Sequence, residues 1–143
     1  MKLSEHFSLD EMTRSDYAVR HDLKNDPSPE YIQNLIALCR NTLEPLREII
    51  KKPIHISSGY RSPEVNEAIG GTKNSQHILG CAADIDVQGL TIAELFDVAS
   101  KFVPYDQVIH EFGQWVHISY ALPLRKDKLR AVRENRKTVY QRV

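Results

Sequence analysis

A short segment near the middle of the chain, AADIDV at residues 82–87, alternates between apolar and acidic residues. Successive side chains of a β-strand point to opposite faces, so Asp84 and Asp86 share one face while Ala83 and Ile85 share the other. One face is therefore polar, and the other can pack against a core. This pattern predicts a sheet that helices cover on one side only.

The rest of the chain divides into helical and strand-like segments in an order typical of an α+β domain. Pro29 starts a helical apolar pattern that extends to Ile50, with a kink or break expected at Pro45. Thr91 and Glu94 form a capping box that begins another helix. The other predicted elements are a short helix near 9–14, a strand at 54–58, a helix from 62–63 to the glycines at 70–71, and a hairpin of strands 107–111 and 115–120. We expect one α+β domain, residues 1–143, with a small antiparallel sheet and helices packed on one side.

Chain length and net charge place only broad limits on the fold and partners of this protein. The chain has 143 residues, enough to bury a core without disulfides, and nineteen basic residues balance nineteen acidic ones, so we expect no nucleic-acid partner. Segment 124–143 is the exception, with eight Lys or Arg against two acidic residues. We expect a solvated tail or helix face there, with docking on an anionic polymer such as nucleic acid or teichoic acid as the alternative.

The cysteines do not indicate a disulfide framework, and the first residues do not indicate a signal peptide. Cys39 lies on the apolar side of the predicted long helix and Cys81 in a strand-like run, so both are predicted to be buried apolar residues. The opening MKLSEHFSLDEM has no apolar core of signal-peptide length, and no stretch approaches the ~20 apolar residues of a membrane span. We expect a protein made in the cytoplasm, without a membrane span.

Three residues are candidate metal ligands. His77 precedes the strand that carries Asp84, and His117 in WVHIS shares a strand face with Trp115, away from the core. Catalytic zinc takes three protein ligands of this kind and keeps an open position. Cys81 points to the opposite face and is excluded from the set. Without further context, surface histidines and a strand-end aspartate explain the pattern better than a metal site does.

A zinc hydrolase also needs a general base, and the hairpin offers two candidates. With a three-residue loop, residues 112–114, Glu111 pairs with Trp115 and lies on the face of His117. With a two-residue loop, residues 113–114, His110 occupies that face instead, because a one-residue slip exchanges the faces of a strand. The pattern alone does not choose between them.

Three motifs in combination resemble those of a known enzyme family. SSGYRSPEVNEAIGGTKNSQHILGCAADI followed by DQVIHEFGQWVHISY resembles the zinc D-alanyl-D-alanine carboxypeptidase family, including its phage endolysin-like branch. That family belongs to the superfamily of lysostaphin-type peptidases and the hedgehog signalling domain. The opening LSEHFSLDEMTRSDYA is also similar to that branch, so the resemblance covers about residues 3–122. It implies the fold of this superfamily.

The resemblance assigns roles to individual residues. It implies that zinc is held by a triad of His77, Asp84 and His117. It also implies that Arg61 of SGYR holds the scissile carbonyl oxygen or a substrate carboxylate, a task that suits its planar fork of donors. Ser75 corresponds to a polar residue that helps to place substrate, although capping the loop around His77 explains it equally well.

One position departs from the family pattern. Many members carry the catalytic carboxylate three residues before the last histidine ligand, where this chain has Gln114, which cannot act as a base. The hedgehog-like arrangement instead has a glutamate six residues before that ligand, which here is Glu111. This favours Glu111 as the base and the three-residue loop.

The resemblance implies a zinc peptidase that cleaves an amide bond in peptidoglycan stem peptides, of the D,D-carboxypeptidase or endopeptidase (endolysin) type. The alternative, favoured by Gln114, is a non-catalytic zinc module that binds cell-wall peptide or a protein partner. We expect a monomer that acts on the cell wall after release or after export by another system. The sequence does not indicate which amide bond is cut.

Overall fold

The computed structural model describes every residue from Met1 to Val143. Its helices are α1 (Leu9–Thr13), α2 (Asp16–Arg20), α3 (Pro29–Leu38), α4 (Glu44–Ile50), α5 (Pro63–Ala68) and α6 (Ile92–Phe102). Its strands are β1 (His55–Ser58), β2 (Ala82–Asp86), β3 (Gln107–Glu111), β4 (Trp115–Ser119), β5 (Asp127–Glu134) and β6 (Lys137–Arg142). None of the helices is both long enough and apolar enough to cross a lipid bilayer.

The six strands form a single sheet in the order β1-β2-β4-β3-β5-β6. Every neighbouring pair is antiparallel except β3 and β5, which run parallel. The predicted α+β class is therefore confirmed. One face of the sheet presents apolar side chains to a core that also contains residues of α3, α4 and α6: Ile56, Ala83, Ile85, Val108, Val116 and Ile118 from the strands, with Leu35, Leu38, Leu46, Leu95 and Phe96 from the helices.

The long helix predicted from Pro29 is interrupted, as expected, close to Pro45. A π-helical turn, Cys39–Leu43, joins α3 to α4. Proline has no backbone N–H to donate and its ring crowds the preceding turn, so a wider turn just before Pro45 relieves the clash without ending the helix. Thr42 in this turn is fully buried, and its hydroxyl donates to the Pro104 carbonyl oxygen at 2.8 Å.

Capping residues fix where the helices begin. The Thr91 side chain accepts a hydrogen bond from the Glu94 backbone N–H, and the Glu94 side chain accepts one from the Thr91 backbone, which completes the predicted capping box. Ser62 caps α5 in the same way, through Val65. Because the cap Ser62 directly follows Arg61, this hydrogen bond also fixes the backbone next to that arginine.

The basic C-terminal segment differs from the expected tail or helix face. It forms the hairpin β5–β6, with Asn135 and Arg136 as a two-residue turn in which both residues have positive φ. Strand β5 pairs with the edge of β3 and extends the sheet. Because this hairpin lies at an edge and carries few apolar residues, its sequence lacks the alternation by which a strand is recognised. The short helix α2 was also not predicted.

The two cysteines lie where the sequence indicated. Both are buried, and they form no disulfide with each other. Burial raises the pKa of the Cys39 thiol to about 12 and also raises that of Cys81. Neither thiol is therefore a reactive nucleophile, and Cys81 stays outside the candidate ligand group described below.

Candidate metal centre

Three side chains from separate parts of the chain converge on the sheet face that is turned away from the core. Asp84 on β2 pairs directly with His117 on β4, and His77 reaches them from the loop before β2. Asp84 Oδ1 lies 3.2 Å from His77 Nε2 and 3.2 Å from His117 Nδ1. All three residues are buried, although the pattern placed Asp84 and His117 outward, because loops and neighbouring side chains cover this face.

The loop before β2 holds His77 in a fixed orientation. His77 Nδ1 lies 2.7 Å from the Gly59 carbonyl oxygen, and only a protonated Nδ1 can make a hydrogen bond there. Gly59 in turn packs against the Met12 carbonyl, and a Cβ at this position would overlap it, which explains the glycine of SGYR. Ser75 Oγ accepts from the His77 backbone N–H at 3.2 Å, so the capping role considered for Ser75 is present.

The donor set fits a tetrahedral metal ion. With Nδ1 donating to Gly59, His77 Nε2 presents a lone pair to a carboxylate oxygen, an arrangement that is repulsive unless a cation or an extra proton lies between them. Zinc bonds of 2.0–2.1 Å in tetrahedral geometry hold ligand atoms roughly 3.3 Å apart, close to the 3.2 Å separations seen here. A carbonyl acceptor behind the histidine is also the usual support for a ligating imidazole. The group could therefore bind a metal ion.

The protein around Asp84 keeps this carboxyl group ionised. Burial acts to raise its pKa, but protonated His77 and His117, through their charge and hydrogen bonds, outweigh burial and hold the pKa well below its ordinary value when no metal ion takes their place. Its second oxygen, Oδ2, accepts a hydrogen bond from Arg61 at 3.2 Å. An ionised carboxylate is the form that binds a metal.

Arg61 is bound to several protein groups rather than projecting freely into the cleft. Its guanidinium donates to Ser58 Oγ at 3.0 Å, to Asn66 Oδ1 at 3.1 Å and to Asp84 Oδ2. Burial is the main effect on Arg61 and lowers its pKa, against the opposing charge of Asp84. Three of its five N–H groups are thus committed, and two remain for a ligand. Ser58 is the first residue of the SGYR motif, whereas Asn66 had no signal in the sequence beyond lying a few residues after it.

The register of the β3–β4 hairpin shows which of Glu111 and His110 lies on the sheet face of His117. Glu111 pairs with Trp115 across a three-residue loop, residues 112–114, in which Phe112 and Gly113 have positive φ. Glu111 therefore lies on the face of His117, with Oε1 4.0 Å from His117 Nδ1. His110 points to the opposite face, where its ring contacts Phe96 edge-on with centroids 5.8 Å apart.

The surroundings of Glu111 favour its protonated form more than water does. Burial, followed by the negative charge of Asp84, raises the pKa of Glu111, and the positive groups nearby offset this only in part. Gln114, the residue that departs from the family pattern, is exposed in the hairpin loop. Its backbone N–H donates to the Glu111 carbonyl at 2.9 Å, so it helps to close the turn that aims Glu111.

A cleft of about 1220 Å³ opens over this face. Its walls include Ser75, which lies next to the candidate ligands, and the N-terminal residues Arg14 to Tyr17. The opposite wall is formed by the C-terminal hairpin, whose contribution the sequence did not indicate. The hairpin residues that line the cleft are Leu129, Arg133, Thr138 and Tyr140.

A second buried carboxylate, Asp106, lies beside the cleft without belonging to the ligand group. Its oxygens accept from Gln76 Nε2 at 2.8 Å and from the Arg125 backbone and guanidinium at 2.8–3.2 Å. Burial acts to raise its pKa, but these hydrogen bonds and the charge of Arg125 lower it overall. Asp106 therefore ties the loop of His77 to the start of the C-terminal hairpin.

No curated protein matches this chain. The family model described as peptidase M15 matches residues 5–119. The match contains the SGYR segment, the candidate ligands and the β3–β4 hairpin, and it ends before β5. The chain therefore belongs to the peptidase M15 family of proteins similar to zinc D-Ala-D-Ala carboxypeptidases.

Proposed function

We propose that this protein is a zinc-dependent peptidase that hydrolyses an amide bond in peptidoglycan stem peptides. The observation that carries the proposal is that His77 and His117 each place a ring nitrogen 3.2 Å from Asp84 Oδ1, with the half-buried Glu111 beside them on the same sheet face. Family membership supports a metallopeptidase. The proposed ligands are His77, Asp84 and His117, and the proposed general base is Glu111.

Each residue of the site has a defined task in this proposal. When bound, zinc supplies a Lewis acid that polarises the scissile carbonyl and acidifies water. Glu111, whose pKa is raised by burial and by the charge of Asp84, accepts a proton from the attacking water and returns it to the leaving amine.

Arg61 and Ser75 complete the proposed machinery. Arg61 has two uncommitted N–H groups beside Asp84, and we propose that they hold the substrate oxygen on which negative charge develops. Its three hydrogen bonds within the protein orient the guanidinium before substrate arrives, which lowers the cost of that interaction. Ser75 lines the cleft next to His77 and helps to position the peptide backbone.

The decisive experiment is digestion of purified muropeptides with the zinc-loaded protein, with products identified by mass. We expect a single class of amide bond to be cut, and the masses distinguish carboxypeptidase from endopeptidase activity. The Glu111→Gln variant should retain zinc but lose about 10²- to 10⁴-fold in rate, the usual contribution of a general base. His110→Gln, which changes the adjacent residue on the opposite face, serves as the matched control and should retain activity.

A non-catalytic module is the second candidate, and Gln114 is the feature that favours it. Under that alternative, muropeptides bind without being cleaved, and Glu111→Gln changes nothing measurable. Wild-type activity in Glu111→Gln would remove Glu111 as the base. For an active enzyme we propose that the substrate lies outside the cytoplasm and is reached by release or by another export system.

A further inference from the structure

The C-terminal hairpin extends the face of the sheet that carries the candidate metal centre. Glu111 on β3 pairs with Ala131 on β5, and Ala131 pairs with Tyr140 on β6. Laterally paired residues share a face, so only the small side chain of Ala131 separates Tyr140 from Glu111. Burial, and then the charges of Glu111 and Asp84, raise the pKa of Tyr140, as expected for a phenol that faces the site. The hairpin is therefore a wall of the cleft.

Charge is distributed unevenly around this cleft. Four arginines line it, and three of them have carboxylate partners within 4.0 Å. The exception is Arg133 on β5, which pairs with Thr138 across the hairpin and has no carboxylate at that distance. The compensated pairs are Arg14 with Asp16, Arg61 with Asp84, and Arg125 with both Asp106 and Asp127.

The Arg133 side chain contacts Phe112 in the loop between β3 and β4. Its guanidinium carbon lies 5.6 Å from the centre of the Phe112 ring, within cation–π range. Phe112 in turn packs edge-on against Trp115, with ring centres 6.0 Å apart, and its backbone N–H donates to the Ala131 carbonyl at 3.2 Å. A cation–π contact uses none of the N–H groups of the guanidinium, so these remain for an anion, and carboxylates match their fork.

Strand geometry gives the distance between Arg133 and the proposed base. Arg133 lies two residues beyond Ala131, the lateral neighbour of Glu111, on the same face. One strand spacing across and two residues along give roughly 8 Å between the Cα atoms of Arg133 and Glu111. An extended peptide advances about 3.3 Å per residue, so this span corresponds to about two residues of a bound substrate.

We infer that Arg133 binds a free carboxylate of the peptide substrate, about two residues from the bond that is cleaved. This inference rests on the proposed function, which it deepens by making the substrate an anionic peptide. It also gives the hairpin, which lies outside the family match, a role in specificity. Arg133 is in this view a substrate-binding residue that takes no part in proton transfer.

Binding and cleavage of the same peptides test the inference separately. The probes are a peptidoglycan stem pentapeptide and versions in which each free carboxyl in turn is converted to a carboxamide. Binding is measured by calorimetry with the full zinc-loaded chain carrying Glu111→Gln, alone and combined with Arg133→Gln or Arg130→Gln. Arg130 lies on the opposite face of β5, next to His110, so its substitution removes the same charge away from the cleft.

We expect Arg133→Gln to weaken binding of the pentapeptide about tenfold or more, the effect of losing a charge-assisted hydrogen bond. One of the amidated peptides should bind equally weakly to the Glu111→Gln chain with and without Arg133→Gln. Adding Arg130→Gln instead should change binding less than twofold. The bond cut by the wild-type enzyme should lie about two residues from that carboxyl. Equal weakening of every peptide by Arg133→Gln, or no weakening, would overturn the inference.

The two proposals fail in distinguishable ways. Cleavage of the pentapeptide without any dependence on Arg133 leaves the proposed peptidase standing and overturns the carboxylate subsite. Arg133-dependent binding without cleavage overturns the peptidase and leaves the subsite as that of a binding module. If no peptide is bound or cleaved, both are wrong.

Discussion

Two buried aspartates, Asp84 and Asp106, lie in closely similar surroundings and have different consequences. Asp84 is on β2, and Asp106 immediately precedes β3. Their exposed fractions are 5% and 2%, and an arginine donates to each of them. Consecutive residues of one loop reach them, because His77 lies against Asp84 while Gln76 donates to Asp106. Burial, charge and an arginine partner are thus common to both.

What separates the two aspartates is the chemistry of their remaining partners. Asp106 accepts hydrogen bonds from the Gln76 amide and from three N–H groups of Arg125, so its lone pairs are used by donors. Asp84 Oδ1 faces the imidazoles of His77 and His117, each of which can present a lone pair to a cation. The first arrangement is a structural clamp, and the second is a candidate ligand group. Neighbouring side chains therefore distinguish a metal site from a buried ion pair better than burial does.

Replacing each of the two adjacent loop residues tests this distinction most strongly. We expect His77→Ala to weaken zinc affinity more than about 100-fold, because loss of a ligand should exceed the 10- to 100-fold cost of losing only its supporting partner. Gln76→Ala removes one of the hydrogen-bond donors to Asp106 and should leave zinc affinity within a few fold of the wild-type value. Competition with a chromophoric chelator measures both affinities. Zinc held at full affinity by His77→Ala would remove His77 from the ligand set.

The second test measures the free energy of unfolding, which should depend more on Asp106 than on Asp84. Asp106→Asn should lower the free energy of unfolding by about 1–3 kcal/mol, because it weakens charge-assisted hydrogen bonds at a buried acceptor. Zinc affinity should stay close to that of the wild type. Urea unfolding of the zinc-loaded protein measures the change. An unchanged midpoint would mean that Asp106 is not a clamp.

An exposed aspartate provides the matched control for that measurement. Asp97 pairs with Lys101 one helical turn away on α6, and both side chains are more than half exposed. Asp97→Asn makes the same chemical change as Asp106→Asn, but at the surface. We expect it to cost less than about 0.5 kcal/mol, as is usual for a solvent-exposed helical ion pair. A cost equal to that of Asp106→Asn would show that burial of the clamp adds nothing.

The sequence predicted the parts of the fold that local pattern controls. The alternation around Asp84 indicated a strand with one polar face, and Pro29 and the capping box of Thr91 and Glu94 marked where helices begin. The residue pattern left the hairpin register open, because residues 107–120 fit two loop lengths equally well, and only the family resemblance favoured the three-residue loop. Only the paired strands showed that Glu111 shares the face of His117. Register is a property of two strands together, which a single run of residues does not encode.

The sequence predicted which three residues of the candidate site come together, but it did not predict the groups that support them. The spacing of His77, Asp84 and His117 alone favours surface residues, and it was the resemblance of three combined motifs that singled them out. The Gly59 carbonyl that orients His77 and the Asn66 side chain that holds Arg61 act through contacts made only after folding. The edge hairpin with Arg133 was missed for a further reason, because a charged edge strand has the composition of a solvated tail.

Acid titration provides the finest test of the clamp, because the pKa of Asp106 is lowered in the folded protein. The folded state then holds the ionised carboxylate more strongly than the unfolded state does. Between the two pKa values the unfolded chain binds more protons, so stability falls as pH falls. The contribution of Asp106 is therefore complete well above pH about 4, the ordinary range of an aspartate, and is lost as pH drops through its lower folded pKa.

The free-energy difference between wild type and Asp106→Asn should accordingly be constant near neutral pH and shrink below pH about 4. Metal-free protein should be used, since acid also releases zinc by protonating its ligands. Subtracting the two unfolding curves cancels the titration of Asp84 and the other carboxylates, as long as they do not couple to Asp106. If the difference stays constant down to pH about 2, the negative charge of Asp106 contributes nothing to the stability of the folded protein. The hydrogen-bond geometry around Arg125, and not the ion pair, would then be what the clamp provides.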